Sequence, residues 1–89
     1  MKAIRIHAQG GPEVLRHEDV PVPVPGPNQV LVRIDAAGVN FIDIYHRSGL
    51  YPVSLPYTLG QEAAGAVTVI GPGVTGVAVG DRVAYTGVP

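Results

Sequence analysis

The stretch QVLVRIDAAG, Gln29 to Gly38, sets Val30, Val32 and Ile34 on one face and Arg33 and Asp35 on the other. That is the period-2 alternation of a half-covered strand. The same pattern recurs along the chain. GAVTVIG (Gly65–Gly71) alternates Val67 and Val69 with Thr68, and DRVAY (Asp81–Tyr85) alternates Val83 and Tyr85 with Arg82 and Ala84. KAIRIHA (Lys2–Ala8) places Ile4 and Ile6 opposite Ala3, Arg5 and His7. Several short strands between turn signals predict a mainly β chain built as a small barrel or sandwich.

What lies between the strands fits that class. VPVPVPGPNQ (Val20–Gln29) carries prolines at 21, 23, 25 and 27, which exclude a helix or a central strand and leave an extended connector. A proline-rich ligand for a partner domain is the alternative reading of the same residues. Gly71, Pro72, Gly73 and Gly76 mark a turn-rich excursion, and a tight turn at Gly80 and Asp81 leads into the last strand. One segment reads as helix, over about 40–48, within NFIDIYHRSGLY (Asn40–Tyr51). Asn40 suits the N-cap, Asp43 the first turn, His46 and Arg47 the last turn and Gly49 the stop. Two turns are too short to stand alone, so this helix is expected to pack on the strands.

Composition narrows the functional classes. With 89 residues the chain is one small domain or a piece of a larger one, and 46% hydrophobic against 15% charged residues makes it globular rather than disordered. Its six basic residues are scattered and the net charge is −1, which argues against nucleic acid or an anionic membrane as partner. There is no cysteine, hence no disulfide framework and no thiolate metal site. No secretory signal and no run near the ~20 apolar residues of a membrane span is present, and the expected location is cytoplasmic. P-loop, G-x-G-x-x-G, H-E-x-x-H and G-x-S-x-G motifs are absent, and GPGVTG (Gly71–Gly76) has the wrong glycine spacing for a dinucleotide fingerprint.

Three motifs in register carry a resemblance. VLVRIDAAGVNFIDIYHRSGLYP (30–52), LGQEAAGAVTVIGPGV (59–74) and VGDRVAY (79–85) resemble the N-terminal part of the medium-chain dehydrogenase/reductase superfamily. They are most similar to its zinc-independent, NADPH-dependent quinone oxidoreductases, the zeta-crystallin group. The resemblance implies a GroES-like, partly open β-barrel with one short helix. It also implies that residues 1–89 are an incomplete N-terminal part of the alcohol dehydrogenase-like catalytic domain. The doubly wound Rossmann domain that carries most NADPH contacts is then absent from this chain. A homodimeric parent and an inactive isolated chain are further expectations.

Zinc-dependent members of the superfamily have a cysteine, a serine or threonine two residues on, and the histidine of a G-H-E-x-x-G motif. This sequence resembles that frame with Asn40, Ile42 and Gln61 in those places. Glutamine is a poor zinc ligand beside imidazole or thiolate, and isoleucine relays no proton. The expected metal content is therefore none.

Chemistry without a metal is reasonable for a quinone. Hydride delivered to a simple aldehyde leaves an alkoxide of water-like basicity, pKa roughly 15.7. A quinone leaves a phenolate, near the tyrosine value of about 10. The gap of about 6 pKa units is about 8 kcal/mol that the site need not supply, and neutral hydrogen-bond donors then suffice. By resemblance, Asn40, Asp43 and Tyr45 border the nicotinamide, and Tyr45, Tyr51 and Asn40 border the quinone or enone as catalytic candidates. The same residues have plain readings: Asn40 with Asp43 as a helix cap, Tyr45 as packing, Tyr51 as a brace before Pro52. Gln61 and Glu62 are either a structural pair replacing the metal or pocket residues.

A second class also fits the pattern. GAVTVIGPGV…VAVGDRVAY resembles the strand-turn-strand of co-chaperonins, so a non-enzymatic binding module is the alternative. Those proteins need a mobile apolar loop in the region occupied here by the proline connector and the NFIDIY helix.

Overall fold

The computed structural model describes residues 1–87. Val88 and Pro89, the end of the expected domain span 1–89, lie outside the described residues. The elements run β1 (Lys2–Ile6), a 3-10 turn (Pro12–Val14), β2 (Arg16–Asp19), β3 (Val30–Gly38), α1 (Phe41–Ser48), β4 (Tyr57–Thr58), β5 (Glu62–Ile70) and β6 (Arg82–Thr86). They form two open antiparallel sheets of three strands, in the orders β2-β1-β4 and β3-β5-β6. The mainly β chain with one short helix is as expected, and neither sheet closes into a barrel among the described residues. None of the described helices is long and apolar enough to cross a membrane.

The chain divides into two compact units. The first comprises Met1–Val22 and Val39–Gln61 and holds β1, β2, β4 and α1. In it β1 runs antiparallel to β2 with Lys2 opposite Asp19 and Arg5 opposite Arg16, and to β4 with Ile6 opposite Tyr57. The expected apolar face of β1 is covered at one point only. Ile6 is fully buried, whereas Ile4 is 43% exposed.

β2 was not legible from periodicity, because its sequence RHED is polar throughout. It is an edge strand, and its charges oppose further edge pairing. The Lys2 ammonium meets Asp19 at 2.8 Å, and Glu18 receives His7 Nε2 at 2.7 Å and Arg5 Nε at 3.5 Å. The His7 hydrogen bond, joined by the His7, Arg5 and Arg16 charges, outweighs desolvation and holds the Glu18 carboxyl below its ordinary pKa.

The second unit comprises Pro23–Gly38 and the residues from Glu62 onward. Its sheet departs from clean alternation at two bulges, each leaving one extra residue between consecutive pairs. On β5 Thr68 is the extra residue between the Leu31–Val69 and Val32–Val67 pairs, and its Oγ1 donates to the Leu31 carbonyl at 3.3 Å. On β3 Asp35 is the extra residue between the Ile34–Gly65 and Ala36–Ala64 pairs.

The expected faces fail at these bulges. Ala63, Gly65 and Val67 are buried in alternation, but Val69, across the bulge from Val67, is 43% exposed, and Ile34 beside the second bulge is 53% exposed. β6 keeps its expected alternation, with Val83 and Tyr85 more covered than Arg82 and Ala84.

The proline connector forms no strand or helix. It ends in a turn closed by the Gln29 N–H on the Gly26 carbonyl at 3.2 Å, with Asn28 left-handed at φ 61°. The expected turn before β6 spans Ala78–Asp81, where the Asp81 N–H meets the Ala78 carbonyl at 3.0 Å and Asp81 Oδ2 accepts the Ala78 N–H at 2.9 Å.

Candidate active site

The candidate residues cluster on α1 and the loop that follows it. Asn40 is the N-cap, with extended backbone (φ −128°, ψ 162°), and the Asp43 side chain reaches back to its N–H. The Asn40 N–H donates to Asp43 Oδ2 at 2.9 Å, and the Asp43 N–H to the Asn40 carbonyl at 3.0 Å. Asp43 is only 6% exposed, and its second oxygen, Oδ1, is buried with no partner. Both readings of this pair therefore have a physical basis: the backbone and one carboxylate oxygen cap the helix, while the Asn40 side chain stays exposed. Around that amide, Val39, Asn40, Phe41 and Ile44 line an open apolar depression of about 290 Å³.

At the other end of α1 the chain stops on Gly49, left-handed at φ 96°, whose N–H donates to the Tyr45 carbonyl at 3.1 Å. The chain returns so that the Tyr51 N–H also donates to the Tyr45 carbonyl, at 3.3 Å. The rings of Tyr45 and Tyr51 meet edge to face, with centroids 5.5 Å apart and planes at 79°. Tyr51 is 47% exposed and Tyr45 is half-buried. The structure brings Tyr45 and Tyr51 together. Asn40 stands at the opposite end of the helix, about 7 Å away along its axis by the standard rise.

One neighbour escaped the sequence reading, and one takes on a further contact. Tyr57, in β4, accepts a hydrogen bond on its hydroxyl from Gln61 Nε2 at 3.3 Å. Its ring meets His46 at 5.3 Å, and His46 lies 6.3 Å from Tyr51. His46 stands in the last turn as expected, and its ring also joins the aromatic cluster, with Nδ1 buried and unpartnered. Arg47 also stands in the last turn, and its Nε donates to the carbonyl of Gly10, outside the helix, at 3.2 Å. Tyr57 lies four residues before Gln61 on an element of two residues, too short for periodicity to reveal.

Gln61 thus spends its amide on Tyr57. Glu62 opens β5 opposite Gly38 and Thr86, and a methyl group at Gly38 would collide with the Glu62 carboxylate. Glu62, Tyr85 and small residues from β3, β5 and β6 line an open depression of about 580 Å³ in the second unit. The zinc frame does not fit its metal: Asn40 and Gln61 offer neutral amides, Ile42 offers nothing, and no three His, Asp or Glu side chains converge among the described residues.

The likeness to known proteins is extensive. Residues 26–88 match the alcohol dehydrogenase GroES-like domain. The chain is 55% identical over 85 residues to a quinone oxidoreductase of Pseudomonas aeruginosa, covering 94% of this chain and 26% of that protein. It is 49% identical over 82 residues to a 2-haloacrylate reductase of a Burkholderia species, covering 88% of this chain and 25% of that protein.

Among solved structures, Escherichia coli quinone oxidoreductase complexed with NADPH superposes with a TM-score of 0.95 at 48% identity, over 98% of this chain and 27% of that one. The chain therefore spans about a quarter of the length of these relatives. The match over residues 26–88 places the chain in the alcohol dehydrogenase GroES-like domain family, and quinone oxidoreductases are among the proteins it resembles.

Proposed function

We propose that this chain is the substrate-side N-terminal part of an NADPH-dependent reductase that delivers hydride to a quinone or α,β-unsaturated ketone without zinc. The observation that carries the reading is the Tyr45–Tyr51 pair: two phenols in edge-to-face contact at the end of α1, one of them half exposed. Neutral donors of this kind match an acceptor that becomes a phenolate rather than an alkoxide. The likeness to a 2-haloacrylate reductase supports electron-poor double bonds as a substrate class beside quinones.

The residues fit the cofactor's reactive end. The exposed Asn40 amide on the shelf of Val39, Phe41 and Ile44 offers a flat ring an apolar face and its carboxamide a donor and an acceptor. NADPH, when bound, supplies the hydride. In this reading Asn40 orients the nicotinamide carboxamide, and Tyr45 completes the edge of its pocket. Tyr51 holds the substrate oxygen and stabilises it as charge develops. Asp43 acts from beneath, fixing the backbone of Asn40 through the cap. Most NADPH contacts belong to a doubly wound domain outside this chain, and the parent is a cytoplasmic homodimer; these last points rest on the resemblance.

The test uses the full-length protein treated with a strong chelator. It is expected to oxidise NADPH with a p-benzoquinone at an undiminished rate, and a loss of rate restored by zinc refutes the metal-free reading. Tyr51→Phe is expected to raise the quinone KM about tenfold, as the loss of one useful hydrogen bond would. The 89 residues alone are expected to show no turnover, and steady NADPH-dependent quinone reduction by them would refute that expectation.

A further inference from the structure

The last carbonyls of a helix have no partners within it, and in α1 they are met from far along the chain. The Gly10 N–H donates to the Arg47 carbonyl at 2.8 Å, and Arg47 Nε returns a bond to the Gly10 carbonyl. Gln9 does more. Its Nε2 donates to the His46 carbonyl at 3.0 Å and to the Tyr51 carbonyl at 3.0 Å. Both partners are acceptors only, so the amide must present its NH₂ to them, and the two hydrogens of one planar nitrogen fix the two carbonyls relative to each other. Gln9 lies against Gly49, whose left-handed backbone (φ 96°) favours glycine. A Cβ there would stand 3.4 Å from Gln9 Oε1 and 3.5 Å from Gln9 Cβ, so Gln9 packs directly across the point where the helix stops.

We propose that Gln9 is a positioning residue that fastens the Tyr51 loop to the end of α1 and thereby sets the Tyr51 phenol for substrate. The inference rests on the reading of Tyr51 as a substrate-side residue. Tyr51 is held on both sides of its backbone, its N–H by the Tyr45 carbonyl and its carbonyl by Gln9. Only Gly49 and Leu50 separate it from the helix, and Gly49 is the most freely rotating residue the chain can offer. Without Gln9 the loop keeps one anchor, and the edge-to-face geometry with Tyr45 loses its fixed reference.

The experiment compares Gln9→Glu and Gln9→Leu in the full-length protein. The first keeps the shape but removes both donors and faces two carbonyls with an acceptor. The second keeps bulk without charge and serves if the first fails to fold. Amide exchange over residues 49–53 is expected to quicken about tenfold, and the KM for a p-benzoquinone to rise about five- to tenfold, the scale of one to two lost neutral hydrogen bonds. The NADPH KM is expected to stay within about twofold, which general damage would not spare. Unchanged exchange overturns the proposal, as does a parallel rise in both KM values. Faster exchange with an unchanged quinone KM, while Tyr51→Phe does raise it, also overturns it. If Tyr51→Phe itself leaves the quinone KM unchanged, the substrate-side reading of Tyr51 has failed, and the proposal falls with it.

Discussion

Gln61 Nε2 donates to the hydroxyl of Tyr57 at 3.3 Å. Gln61, which by resemblance stands at the place of a zinc-binding histidine, therefore forms a link to β4. Gln61→Leu is expected to lower stability by about 1 kcal/mol, the net worth of a partly buried neutral hydrogen bond, while kcat in the full-length protein stays within about twofold. A large fall in kcat without a fall in melting temperature would place the amide on substrate instead. Gln61→His is expected to gain no stoichiometric zinc by elemental analysis, since Asn40 and Ile42 still supply no ligand.

Asp43 gives one oxygen to the helix cap and keeps the other buried without a partner. Asp43→Ala is expected to cost about 1–2 kcal/mol in urea unfolding, through the lost cap and the lost charge at the positive helix end. Asp43→Asn retains an acceptor for the Asn40 N–H and is expected to lose less. Equal losses in the two variants would show that the cap bond contributes little.

Glu18 titrates below its ordinary carboxylate value, first because of the His7 hydrogen bond and then because of the His7, Arg5 and Arg16 charges. A carboxyl whose folded pKa is depressed adds stability above its unfolded pKa and loses it as pH falls through the folded value. The urea midpoint is thus expected to drop between about pH 5 and pH 3, and Glu18→Gln to flatten that drop. An identical pH profile in the variant would contradict this.

Gly65 faces Ile34 beside the Asp35 bulge, and a methyl group there would run into the Arg33 carbonyl oxygen. Gly65→Ala must push β3 and β5 apart and is expected to destabilise by about 1–3 kcal/mol, read from thermal unfolding. The control Ala64→Gly, on the neighbouring half-buried position, should cost about 1 kcal/mol or less. A neutral Gly65→Ala would mean that the sheet yields freely at the bulge.

Much of the fold was legible because local rules had no competitor. The prolines between 21 and 27 permit only an extended connector, Asn40, Asp43 and Gly49 fix both ends of α1, and Val83 and Tyr85 keep strict alternation in β6. The misses have physical reasons. β2 is an all-polar edge held by its partner rather than by a buried face, and β4 is two residues long. The exposure of Val69 and Ile34 follows from bulges at Thr68 and Asp35, and a bulge depends on how the partner strand is paired.

The sequence by itself determined the β-rich class, the position and length of α1, the family frame and the loss of the zinc-ligand side chains, since each follows from residue type and nearest-neighbour spacing. Only the tertiary structure decided which groups meet. Gln61 lies against Tyr57, His46 among the tyrosines, and Gln9 across Gly49 onto Tyr51. Those contacts join residues up to 42 positions apart, and a hydrogen bond exists only where the whole fold brings donor and acceptor within about 3 Å.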